Sequence, residues 1–197
     1  IGGPPCQSFS SAGRARDEHG MKNDPRNYLF ESYVKILNAI RPKFFVFENV
    51  TGLLTARLKG KRHIFTVLGE LGKEYKVYNG NPSDMVFNTV NYGVPQIRKR
   101  VIILGVRKDI DVEPVDLYKG IVKTNWDSDM SESERKGLQP PVTVRDAIGD
   151  LPPVPNGGGS NIMEFKPKAM NSFVQKIRSK DDETLLYHVT RKNNDKD

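Results

Sequence analysis

The chain has 197 residues, is 37% hydrophobic and 28% charged, and carries a formal net charge of +7 with an isoelectric point near 9.4. That length suits one domain, or one domain and part of another, and no apolar run reaches the roughly 18 residues of a membrane span. A single cysteine, Cys6, excludes an intramolecular disulfide and a thiolate-rich zinc site, so a cytoplasmic protein with no metal and no membrane is expected. The charge is uneven. Residues 1–108 hold 18 Lys/Arg against 8 Asp/Glu, whereas residues 109–197 hold 13 against 16. The basic excess sits with Cys6, as a phosphate-backbone footprint or an ordinary solvated surface would have it.

Ile1 stands directly against Gly2-Gly3-Pro4-Pro5-Cys6, where the last residue of a strand belongs, so the chain reads as an internal piece of a longer protein. The two prolines fix φ at consecutive positions and the glycines permit close backbone approach. Such a turn holds a thiol in one direction, although a lone cysteine is also often a buried structural residue. Residues 8–27 are polar and loop-like. Leu29, Tyr33, Ile36, Leu37 and Ile40 then fall at helical spacing, and Arg41-Pro42 stops the helix.

Phe44-Phe45-Val46-Phe47 predicts a strand buried on both faces, with Glu48 at its carboxyl end. A second helix is predicted over Arg62–Leu71, closed by Gly72. Strand segments follow at Tyr75–Tyr78, Met85–Val90 and, most clearly, Val101–Val106. This alternation argues for an α/β sheet of parallel character, whose ligands sit at the carboxyl ends of strands. Residues 109–141 are acidic and show little periodicity. Val142–Leu151 predicts a short helix, Pro152–Gly159 a linker or turn, and the remainder is polar apart from an amphipathic stretch near Phe173–Ile177.

Three pieces hold the chemistry: Pro4-Pro5-Cys6-Gln7, Glu48-Asn49-Val50 and Gln96-Ile97-Arg98-Lys99-Arg100. Each alone has a plainer reading. Glu48 fits a ribose-binding acid or a solvated strand end, and Arg98 and Arg100 fit the exposed face of an edge strand. Lys59-Gly60-Lys61-Arg62-His63 reads as a basic surface turn, with DNA contact as the lesser alternative. His19, His63 and His188 lack metal-ligand spacing, and Gly157-Gly158-Gly159 lacks the strand and Lys-Ser/Thr of a phosphate loop.

In order and spacing the three pieces resemble the DNA (cytosine-5) methyltransferases of bacterial type. Asp24-Pro25-Arg26-Asn27-Tyr28-Leu29, Asn91-Tyr92-Gly93-Val94-Pro95 and Val142–Pro152 match further family segments. The resemblance implies a Rossmann-like S-adenosylmethionine-dependent methyltransferase sheet. It would be truncated at its N-terminal side, with residues 1–108 from the catalytic domain and 109–197 a polar connector and the start of the target-recognition region. It implies Cys6 as nucleophile toward C6 of a flipped cytosine, Glu48 at N3, and Arg100 at O2, with Arg98 and Gln96 in support. Pro4 would receive the base's amino group, and Pro5 and Leu29 would touch the methyl donor. Gln7, Ser10, Arg14, Arg16 and Asn49 complete the expected substrate and DNA contacts.

The chemistry suits these residue types. Cytosine C5 is a poor nucleophile until a thiolate adds at C6, and the density this loads onto the ring is stabilised by hydrogen bonding or proton donation at N3. The target atom is unreachable inside a stacked duplex, which requires base flipping. Double-stranded DNA is then the partner, with a cognate restriction endonuclease acting on the same site without a stable complex, in a bacterial, nucleoid-associated setting. The family's Gly-rich donor-binding turn lies upstream of the nucleophile. Little or no methyl transfer is therefore expected from these 197 residues alone, and transfer from the longer protein. A catalytically silent DNA-binding remnant and a Cys-dependent hydrolase are the rival functions.

Overall fold

A computed structural model of the chain describes residues 1–5, 28–58, 60–165, 171–178 and 184–193. Cys6, Gln7, Ser10, Arg14 and Arg16 lie outside the described residues. The chain forms two compact units, one of Ile1–Tyr92 with Ile97–Lys123, the other of Gly93–Gln96 with Thr124–Asp197.

The first unit begins with helix α1, Leu29–Ile40. Its buried face is Phe30 and Leu37, with Tyr33 and Val34 packed beside them, while Ile36 and Ile40 are exposed. Tyr33 and Leu37 of the expected apolar face thus do pack inward and Leu29 is half-buried, but Ile36 and Ile40 face outward because Phe30 and Val34 draw the buried stripe round. Arg41 closes α1 in the left-handed region at φ 50, its N–H donating to the Leu37 carbonyl at 2.8 Å. Strand β1, Phe44–Val50, follows. Phe45, Phe47 and Asn49 are buried and Phe44 is exposed, so β1 alternates instead of being buried on both faces. Tyr33 of α1 packs edge-on against Phe47 at 5.1 Å and donates its hydroxyl to the Val46 carbonyl at 3.1 Å.

A one-turn helix α2, Gly52–Thr55, leads into a two-stranded ribbon, β2 (Arg57–Leu58) with β3 (Lys61–Arg62). Helix α3, His63–Leu71, buries Ile64, Val67 and Leu71, and Gly72 caps it as anticipated. Strand β4, Tyr75–Val77, and strand β5, Val86–Asn88, both pair with the long strand β6, Lys99–Arg107.

Every strand pair in this four-stranded sheet is antiparallel, and β6 lies at its centre against β1. Parallel pairing appears at Gly2, which bridges Phe47 on the outer edge of β1. The mixed α/β class stands, but the parallel neighbours expected from the strand–helix alternation are limited to that edge. The short link around residues 93–98 returns the chain from β5 antiparallel onto β6, whereas the longer passage from β1 to β4, through helix α3, leaves those two strands running the same way on either side of β6.

Strands β4 and β5 cover opposite ends of one edge of β6, and Ile102–Leu104 lie between them. The Tyr118 hydroxyl fills the gap, accepting from Leu104 N and donating to Ile102 O, each at 2.9 Å. Tyr118 lies in helix α4, Pro114–Lys119, so residues 109–123 close the sheet. Burial pushes the phenols of Tyr33 and Tyr118 up to about 12, which keeps both protonated as donors.

Among the described residues the second unit contains three short helices, α5 (Glu132–Arg135), α6 (Val144–Ile148) and α7 (Ser172–Ile177). It also contains a hairpin of β7 (Gly159–Glu164) with β8 (Thr184–Val189). Capping boxes at Ser131/Glu134 and Thr143/Asp146 fix the starts of α5 and α6. Asn171 caps α7 and donates Nδ2 to the Asp146 carbonyl at 2.7 Å, and Arg178 pairs with Asp150 at 3.1 Å. The hairpin was not foreseen: the Gly-rich run opens β7, and Tyr187, at φ 55, interrupts β8.

Gly105 stands opposite Phe45, and a Cβ there would lie 2.0 Å from the Phe45 ring. Gly105→Ala is therefore expected to lower stability by about 1–3 kcal/mol through overpacking. A urea denaturation midpoint unchanged from the parent protein would contradict this packing.

Candidate functional site

The site is built where Gly2–Pro5 run along the free edge of β1. Gly2 N donates to Val46 O and Glu48 N donates to Gly2 O, each at 2.9 Å, so residues 1–3 extend beside the strand that carries Glu48. A Cβ at Gly2 would meet the Tyr33 ring at 2.5 Å, and one at Gly3 would meet the Glu48 carboxylate at 2.8 Å. The paired glycines are required by close approach, on one side to an aromatic ring and on the other to the acid itself.

Glu48 and Arg100 come together through strand register. Val50 pairs with Arg100 and Glu48 with Ile102 across β1 and β6, so Glu48 and Arg100 are diagonal neighbours on one face of the sheet. Arg100 Nε lies 2.9 Å from Glu48 Oε1, with the arginine side chain 22% and the glutamate 40% exposed. Arg100 Nη1 donates to its neighbour's carbonyl, Lys99 O, at 2.9 Å. An acid and a guanidinium are thus locked side by side, both still open to a ligand.

Asn49 points to the opposite, buried face. Its Nδ2 donates to the Pro4 carbonyl at 3.3 Å and its Oδ1 accepts from Val50 N at 2.9 Å. Expected as a substrate contact, Asn49 is 4% exposed and acts as a brace between β1 and the Pro-Pro turn. The Pro4 carbonyl keeps a second lone pair for another donor. Nothing in the sequence separately signalled this brace, or the Tyr33 hydroxyl that holds Val46.

The remaining expected residues are placed as follows. Arg98 is exposed, and its carbonyl accepts from Thr89 N at 3.1 Å. Gln96 is exposed and belongs to the second unit. Pro5 is exposed and Leu29 half-buried, so both present apolar surface. Among the described residues there is no group of three or more His, Cys, Asp or Glu able to hold a metal, and no helix long and apolar enough to cross a membrane.

A family model described as C-5 cytosine-specific DNA methylase matches residues 1–195. The chain is 37% identical over 171 residues to a Type II methyltransferase of Bacillus paralicheniformis, covering 84% of this chain and 35% of that protein. It is 33% identical over 178 residues to one of Desulfomicrobium norvegicum, covering 90% and 38%. With one of Fusobacterium nucleatum it shares 40% over 151 residues, covering 77% and 37%. A solved structure described as a DNA modification methyltransferase encoded within an E. coli prophage aligns at a TM-score of 0.55 and 25% identity, over 89% of this chain and 42% of the other. The chain therefore spans little more than a third of the length of these curated relatives.

The brace yields a test. Asn49→Ala removes both side-chain bonds, and a loss of about 1–3 kcal/mol in stability is expected. Amide exchange at Gly2 should quicken with it. Unaltered exchange at Gly2 would show that Asn49 does not hold the turn.

Proposed function

The chain belongs to the C-5 cytosine-specific DNA methylase family, and from that premise we propose that the protein carrying it methylates C5 of a flipped cytosine in double-stranded DNA, with Cys6 as nucleophile. The observation that carries this reading is the Glu48–Arg100 pair at 2.9 Å, beside a Gly-Gly-Pro-Pro turn that ends at Cys6. A carboxyl group and a guanidinium held side by side suit the N3 and O2 edge of cytosine, and a backbone carbonyl at Pro4 suits its exocyclic amine.

In this reading the Cys6 thiolate adds to C6, forming a C–S bond and moving the C5=C6 electron pair toward C5. Glu48 hydrogen-bonds N3 and shares a proton there, while Arg100 holds O2 through the part of its fork not already engaged by Glu48 and Lys99. Its planar donor set also keeps the Glu48 carboxylate in one orientation. S-adenosylmethionine supplies the methyl group when bound, and the apolar surfaces of Pro5 and Leu29 fit contact with its methyl-bearing end. Loss of the C5 proton and expulsion of the thiolate then restore the double bond. Arg98, Gln96, Gln7, Ser10, Arg14 and Arg16 are assigned to DNA and base contacts on the family pattern. Asn49 is assigned to positioning, on its hydrogen bonds to Pro4 and Val50. The relatives' Type II names favour a role in a restriction–modification system in a bacterial cytoplasm, with an endonuclease of the same recognition sequence.

The test is a mechanism-based trap. DNA containing 5-fluorocytosine, with the methyl donor, should give a stable covalent adduct with the full-length protein and none with Cys6→Ala. Glu48→Gln should slow turnover on ordinary DNA by about 10²- to 10³-fold. An active full-length protein that forms no adduct would remove Cys6 from the mechanism.

A further inference from the structure

The basic turn that the reaction leaves unused has a definite shape. Arg57 and Arg62 are directly opposed in the β2–β3 ribbon, and Lys61 pairs with Leu58 beside its tip. All three cations are exposed, and none has an acidic partner among the described residues. Gly60, at φ +82, makes the tight reversal, and Arg57 Nη1 donates to its carbonyl at 3.1 Å. The ribbon is also firmly rooted. His63 N donates to Ala56 O at 2.9 Å, and the His63 ring, 1% exposed, meets the Phe30 ring edge-on at 5.2 Å.

Like charges directly opposite one another on a two-stranded ribbon destabilise it. An anion between the two guanidiniums reverses that penalty, and a phosphate oxygen pair matches their planar donors. Position selects the anion. Arg57 follows Glu48 by nine residues, with only the one-turn helix α2 between them, so the ribbon lies at most about 30 Å from the acid along the chain. That is within about one turn of a duplex from the target base.

We infer that the Arg57–Arg62 ribbon, with Lys61, grips the phosphate backbone of the DNA beside the target cytosine and adds affinity that does not depend on sequence. This rests on DNA being the substrate, as proposed above. The ribbon acts on binding, while Cys6, Glu48 and Arg100 act on the base.

The experiment compares the full-length protein with its Arg57→Gln/Lys61→Gln/Arg62→Gln variant, reading affinity for a non-cognate duplex by fluorescence anisotropy across a salt series. Each neutralised phosphate contributes about 0.9 to the slope of log affinity against log salt. The variant's slope should be shallower by about two to three. Between about 50 and 200 mM salt the parent should therefore lose about 15- to 60-fold more affinity than the variant does. Arg57→Lys/Arg62→Lys should keep the parent slope, and single Arg57→Gln should lower it by about one, so a misfolded triple variant does not obscure the result. Equal slopes for parent and variants overturn the inference. The fluorocytosine trap at saturating DNA separates the two proposals. An adduct from the parent with an unchanged slope removes the ribbon alone, while no adduct with a flattened slope removes the reaction and leaves the ribbon.

Discussion

The antiparallel register of β1 on β6 is the constraint from which the rest of the site follows. Pairing Val50 with Arg100 puts the arginine diagonally across from Glu48, and the ion pair at 2.9 Å is the result. A slip of one residue along either strand would send Glu48 or Arg100 to the buried face. The hydrophobic alternation that fixes the register, Phe45 and Phe47 against Val101 and Ile103, therefore fixes the site as well. Core and chemistry share one determinant.

The pair itself contributes little to stability. With its partners 22% and 40% exposed, it belongs with surface ion pairs, worth about 0–1 kcal/mol. Its value lies in orientation. Asn49 supports the same arrangement from the opposite face by tying the Pro4 carbonyl to β1, and Gly2 and Gly3 let the Pro-Pro turn approach without a steric barrier. The turn leading to Cys6 and the acid at the strand end are thereby held to one edge of one strand, although 42 residues separate Cys6 and Glu48 in sequence. The ribbon of β2 and β3 extends the same logic outward, tied at its root by the bond from His63 N to Ala56 O and presenting Arg57, Lys61 and Arg62 to solvent.

Much of this was legible in the sequence, and the reasons for the misses are specific. Helix α1, strand β1, helix α3 and strand β6 were readable because long apolar patterns and the punctuation at Arg41-Pro42 and Gly72 agree. The face of α1 is only partly legible, Tyr33 and Leu37 being shared, because Leu29 and Phe30 are adjacent apolar residues and packing against His63 favours Phe30. Four aromatic and aliphatic residues in a row concealed the alternation of β1. Antiparallel pairing and the Tyr118 closure depend on contacts distant in sequence, and neither leaves a local pattern. At the site, Glu48 and Arg100 were named from their order along the chain, but Asn49's role as a brace came from its burial, which its residue type alone does not indicate.

Glu48 and Arg100 are proposed to act as one unit on the base. A double-mutant cycle on kcat/KM for methyl transfer by the full-length protein, using Glu48→Gln, Arg100→Gln and the pair together, measures this directly. A cooperating pair predicts that the double variant is scarcely slower than the worse single one, a coupling of at least about 1 kcal/mol. Losses that simply multiply would show two independent residues, and would contradict the shared role that their strand register gives them.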